Sequence, residues 1–91
     1  MASTALSTGE LTPATYNAYS EGRQFIDAVV IQPGATITIY DSLTAAGKVV
    51  FQFVNAGTST ASVVFRNVVR LDVGMTIVVA AFNAQVYYGA A

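Results

Sequence analysis

Residues 35–41 read Ala-Thr-Ile-Thr-Ile-Tyr-Asp, and residues 48–54 read Lys-Val-Val-Phe-Gln-Phe-Val. In the first run Ile37 and Ile39 fall on one side and Thr36, Thr38 and Tyr40 on the other, the two-residue period of a strand with one buried face. In the second, Val49, Phe51 and Phe53 share a side and form the predicted core face. Both runs are β-branched and aromatic, as strands prefer. Working outward, the same signature predicts strands over residues 24–31, 61–66, 68–71, 75–80 and 84–88, which makes seven. Turn chemistry separates them: Gln32-Pro33-Gly34, the small-residue loop 41–47, Asn55-Ala56-Gly57-Thr58, Asp72-Val73-Gly74 and Asn83. No segment keeps apolar residues at i, i+3, i+4 and i+7 above a polar face. Short strands about ten residues apart predict an all-β fold, an antiparallel β-sandwich of Ig-like or jelly-roll-like type.

Every Val, Ile and Phe lies beyond residue 24. Residues 1–23 therefore read as a flexible or extended N-terminal arm, and residues 24–91 as the sandwich domain. Such a segment buries too little apolar surface to offset an ordering entropy of about 1–2 kcal/mol per residue. Leu6, Leu11, Tyr16 and Tyr19 are spaced along it as anchors, and Pro13 favours extended backbone at Thr12. An arm of this kind is expected to dock on a neighbouring subunit, so that deleting residues 1–22 leaves a folded oligomer. The opening residues hold neither a basic nor an apolar signal region, which predicts a chain made in the cytoplasm. The uncharged run 73–91 is interrupted by Gly74, Thr76, Asn83 and Gln85, so it reads as two strands and a turn rather than a membrane span.

The 91 residues contain no Cys, His or Trp, and only a tenth are charged, against about a quarter in an ordinary domain. Without imidazole or thiol the usual Zn, Fe and Cu ligands and the commonest nucleophile–base pairs are missing. The expectation is a protein that is not an enzyme and carries no cofactor and no metal. A net charge of -1 gives no electrostatic case for nucleic acid or an anionic membrane. Asp41, at a strand end before a small-residue loop, is expected to cap backbone amides. Surfaces rather than chemistry are left to carry the function.

The faces that should meet water are apolar. Val50 and Val54, Val64, Val68 and Val78 lie opposite the core-facing sets, where a monomer would carry Lys, Glu or Thr. With so few charges to cover the remainder, the reading is self-association through an apolar sheet face. Tyr87 and Tyr88 point to opposite sides of the last strand; one packs inward, and Tyr87 with Tyr40 is a candidate interface anchor.

From Ile37-Thr38-Ile39-Tyr40-Asp41-Ser42-Leu43-Thr44-Ala45-Ala46-Gly47-Lys48-Val49-Val50 the chain resembles small all-β virion proteins of tailed bacteriophages. The likeness continues in Val69-Arg70-Leu71, in Gly74-Met75-Thr76-Ile77-Val78-Val79 and in Ala84-Gln85-Val86-Tyr87-Tyr88. The resemblance implies a capsid decoration, or cement, protein held on the outer surface of the virion. Its partners would be the major capsid protein and itself, as a homo-oligomer with a trimer favoured. Two further readings stay open. One is a tail or fibre module that binds a host-surface glycan, with Tyr40 and Tyr87 as a platform. The other is a self-assembling β filament subunit, from the uncharged runs 49–65 and 73–91.

Overall fold

The computed structural model describes residues 6–90, with the side chains of Val68 and Ala90 outside that description. Eight strands and no helix are found among the described residues: β1 (Leu6–Ser7), β2 (Ala14–Glu21), β3 (Gln24–Ile31), β4 (Thr36–Asp41), β5 (Lys48–Val54), β6 (Ala61–Leu71), β7 (Gly74–Ala80) and β8 (Ala84–Ala90). They form two four-stranded sheets, ordered β1-β8-β3-β6 and β2-β7-β4-β5, with every pairing antiparallel. Consecutive strands mostly change sheet, and only β4 and β5 follow one another within one. The fold is all-β, as the two-residue period requires.

One core draws on both sheets. Ile26, Val29, Ile31, Leu71 and Val86 come from the first, and Ile37, Ile39, Met75, Ile77 and Val79 from the second. Phe51 of β5 and Phe65 of β6 meet edge to face, with ring centroids 5.2 Å apart, and tie the two sheets together along one flank. On the opposite flank Tyr19 of β2 meets Tyr88 of β8 at 6.0 Å and Tyr16 at 6.5 Å, again edge to face.

The turns hold as their residues suggest. Ala35 N donates to Gln32 O at 3.0 Å across Pro33-Gly34, with Gly34 at φ +83°. A Cβ at Gly34 would also sit 2.9 Å from the Phe82 ring, so both backbone and space demand glycine there. Asn55 is buried and holds two turns at once. Its Nδ2 donates to Ile31 O and Ser59 O, its Oδ1 accepts from Gly57 N, and its own backbone carbonyl accepts from Gly34 N.

Three expectations need correction. The N-terminal segment is not a free arm from residue 6 onward: β1 pairs with β8 and β2 pairs with β7, so each sheet takes one strand from it. Leu11 bridges to Ala84, with both backbone hydrogen bonds made, and is only 6% exposed in the shared core. The physical reason is that an edge strand needs one ladder and one anchored side chain, not an apolar run of its own. Residues 1–5 of the expected arm lie outside the described residues. The expected break at Asn67 is instead a register irregularity within one strand: Ile26 pairs with Val69 and Ala28 with Val64, leaving residues 65–68 opposite Asp27 alone. On β5, Ile39 pairs with Phe51 but Tyr40 with Val49, so Val50 is an extra residue. That bulge reverses the alternation, so Val50 packs against the core while Val49 is exposed.

Because β2 and Leu11 belong to the domain, truncating Leu11→Ala should cost about 2–4 kcal/mol, out of the roughly 5–15 kcal/mol that holds a domain of this size. Deleting residues 1–22 should abolish the cooperative urea transition. A truncated protein that unfolds with the full-length midpoint would refute the role assigned to β1 and β2.

Candidate docking surfaces

At one end of the second sheet, Asp41 closes β4. Its carboxylate accepts hydrogen bonds from the backbone N–H groups of Val73 at 2.8 Å, Asp72 at 3.1 Å and Gly74 at 3.4 Å. The cap falls on the β6–β7 turn, more than thirty residues downstream, and not on the adjacent loop. Partial burial acts to raise the Asp41 pKa, but the amides of Val73, Asp72 and Gly74 and the charge of Lys48 together hold it below the ordinary carboxylate value. Beside it Thr76, fully buried, donates to Ser42 O at 2.9 Å and accepts from Ala18 N at 3.0 Å. Residues 17–19 bulge opposite Thr76, with Ala18 at φ +46°. One hydroxyl thus fastens the β4–β5 loop and the β2 bulge to β7, a role the sequence pattern gave no means of finding. Among the described residues no group of three or more His, Cys, Asp or Glu side chains is placed to hold a metal ion.

The ten candidate contact residues separate by environment. Leu11 is in the core, and Tyr16, Tyr19 and Val50 are half-buried against it. Leu6 of β1 is exposed, as are Val54 at 61% and Val64 at 77%. Val68 lies in β6, with its side chain outside the described residues. Tyr40 and Tyr87 are half-buried but belong to different sheets: Tyr40 is opposite Thr76 and Val49, Tyr87 opposite Ser7 and Ala28. They flank core-facing neighbours, Ile39 and Val86, so they point away from the core on opposite sides of the molecule. A single platform built from both is therefore excluded.

Register brings together what the sequence leaves scattered. Away from the core, the second sheet presents the row Thr15, Val78, Thr38 and Gln52, flanked by the rows Ala80, Thr36, Val54 and Tyr40, Val49. No charged side chain stands in these rows. Three of the four cations, Lys48, Arg66 and Arg70, instead lie exposed on β5 and β6, the outer strands of the two sheets on one flank. Val49, Val54 and Val64 are exposed on the same two strands.

A cleft of about 100 Å³ lies at the far end of the first sheet, lined by Glu10, Val30, Gln32, Thr60, Asn83, Ala84 and Gln85. The Gln32 amide donates to the Glu10 carboxylate, and Gln85 Nε2 donates to Ser7 Oγ and Tyr87 Oη. Its polar lining suits hydroxyl groups, but the volume is well below the roughly 300–1,000 Å³ of a typical ligand pocket. Broad surfaces, not this cleft, are the larger feature.

Comparison with family models, with curated proteins and with solved structures finds no match for this chain.

The Asp41 cap has a pH signature. Its folded-state pKa is lowered, so its contribution is present above the pKa of the unfolded carboxylate and is lost as the pH falls through the folded value. Asp41→Asn should therefore lower stability at pH 7 by about 1 kcal/mol, a figure already reduced for solvent screening. The gap between variant and parent in urea titrations should narrow progressively as the pH falls below the ordinary carboxylate range; a gap that stays constant throughout acid titration would show that the charge does not matter.

Proposed function

We propose that this chain is a structural protein of a bacteriophage virion, a capsid decoration protein that binds the outer surface of the shell as a small homo-oligomer. The observation that carries the reading is the set of three charge-free rows on the outer side of the second sheet, beyond which Glu21 stands at one end, in a chain whose charges are already few. A face of that kind, without a ring of Lys and Glu to keep it in water, suits a lasting contact with another protein surface. The resemblance of residues 37–50 to small virion proteins gives the same direction.

The strand order supports a jelly-roll sandwich over an Ig-like one. Two four-stranded sheets from eight strands suit a jelly roll, a form used by viral capsid domains and also by lectins. In an Ig domain the first two strands are neighbours in one sheet, whereas here β1 and β2 lie in different sheets. Between the two uses of a jelly roll, the small cleft speaks against the glycan-binding module and the broad uncharged face for the shell. With residues 6–21 built into the sheets, the shell contact is assigned to the face of the second sheet and not to an extended arm. A decoration protein of this kind needs no catalytic group and gains its hold from repeated contacts among copies.

Thr15 and Gln52 are exposed at the two sides of that face, on the edge strands β2 and β5. A Thr15→Glu, Gln52→Glu variant should keep its thermal midpoint, because surface changes of this type usually shift stability by no more than about 0.5 kcal/mol. Its co-sedimentation with particles of the phage that encodes it should fall at least about tenfold, a step of roughly 1.4 kcal/mol in binding. Undiminished sedimentation would remove the face from the mechanism, and a parent protein that does not sediment with particles would remove the decoration reading altogether.

A further inference from the structure

We infer that the outer strands of both sheets are closed to further strands, so that this protein meets other molecules through its faces and turns and does not extend its sheets edge to edge. The inference goes beyond the proposed function and concerns the purified protein alone.

A chain of this composition needs such a guard. The unpaired N–H and C=O groups of an outer strand are a template for another chain, most of all where the strand is apolar, rich in β-formers and poor in charge. Residues 49–65 carry no charge, and β5 brings Val49, Val50, Phe51, Phe53 and Val54 to the edge of the second sheet.

All four outer strands are nonetheless interrupted. β5 carries Val50 as an extra residue, since Ile39 pairs with Phe51 and Tyr40 with Val49. β6 sets residues 65–68 against Asp27 alone. β2 sets residues 17–19 against Thr76 alone, with Ala18 at φ +46° and its N–H donating to the Thr76 hydroxyl. β1 has two described residues, and Gly9 at φ +68° interrupts its ladder before Leu11 rejoins it at Ala84. Of the inner pairings, β4 with β7 runs through six residue pairs without a shift, and β3 with β8 shifts once, at the same Asp27.

These interruptions limit length. Uninterrupted pairing on the outer strands reaches four residues at most, at residues 51–54 of β5 and 61–64 of β6, whereas segments that stack on copies of themselves run to about six or seven. The hydrogen-bonding groups of a strand point alternately to its two sides. The one extra residue of β5 and the three of β6 therefore put the free side out of step as well. An incoming regular strand loses its bonds beyond the irregularity. Lys48, Arg66 and Arg70 on the same two strands add like-charge repulsion to any contact of that flank with itself.

Val50 offers the test, because deleting it removes the irregularity and leaves its neighbours on their own faces: Val49 stays opposite Tyr40, and Phe51 opposite Ile39. The repaired strand has six residues in step. Against a second copy it can set Val49 opposite Val54, Phe51 opposite Phe53 and Gln52 opposite itself, with Lys48 beyond the ladder. Val50→Ala keeps the bulge while losing packing at the same place, and is the control. The full chain and both variants are compared by light scattering in about 1 M salt, where a Debye length of about 3 Å screens the cations. Circular dichroism and urea transitions check that each variant folds. The parent and Val50→Ala should show the same mass, without open-ended growth at rising concentration. The deletion variant should form species at least about twice as heavy, and its β5 amides on the side away from β4 should become protected from exchange. A parent that grows into filaments in high salt would overturn the inference whatever the deletion variant does, and so would a folded deletion variant that behaves like Val50→Ala. None of these measurements uses phage particles, so this inference and the decoration reading fail separately.

Discussion

The burial of β7 governs the rest of the structure. Gly74, Met75, Thr76, Ile77 and Val79 are all buried, in the middle of the second sheet. A backbone so enclosed needs a hydrogen-bonded neighbour on each side, because an orphaned buried amide or carbonyl costs about as much as a lost hydrogen bond. β4 supplies one ladder, and β2 supplies the other. The first sheet repeats the arrangement around β8, held between β3 and β1, with Leu11 sealing the core where β1 has ended. A polar, Val-free N-terminal segment is drawn into the fold because two apolar strands require partners.

This also explains what could be read from the sequence and what could not. The runs at residues 24–31 and 48–54 coincide with β3 and β5, and those for β4, β7 and β8 differ only at their ends. Their signal is local: alternation of Val, Ile and Phe with polar residues, closed by Pro, Gly and Asn. β1 and β2 carry no such signal, since their pairing is dictated by what β7 and β8 lack. The inversion at Val49 and Val50 has the same origin, because a bulge is a property of two paired strands and shows itself in neither one alone.

The candidate surfaces follow a similar division. That Val54 and Val64 would be exposed follows from alternation and holds in the structure, whereas Leu11 reads as an anchor for another molecule and is the anchor of its own domain. The roles of Asp41, Asn55 and Thr76 as fasteners between distant turns depend on contacts across twenty to nearly sixty residues. Above all, the charge-free rows come from register: Thr15 and Gln52 lie in one row only because β7 and β4 stand between them. The low charge content of the chain gives the expectation of a contact protein, and the sheet order gives that expectation a place.

The central physical claim is that residues 14–21 are a strand of the domain, bonded to β7. Amide hydrogen exchange of the full chain measures this directly. Amides along β2 and β7 should exchange slowly and on comparable timescales, with faster exchange confined to the bulge around Ala18. Exchange at free-chain rates throughout residues 14–21, with β7 amides on that side unprotected, would contradict it.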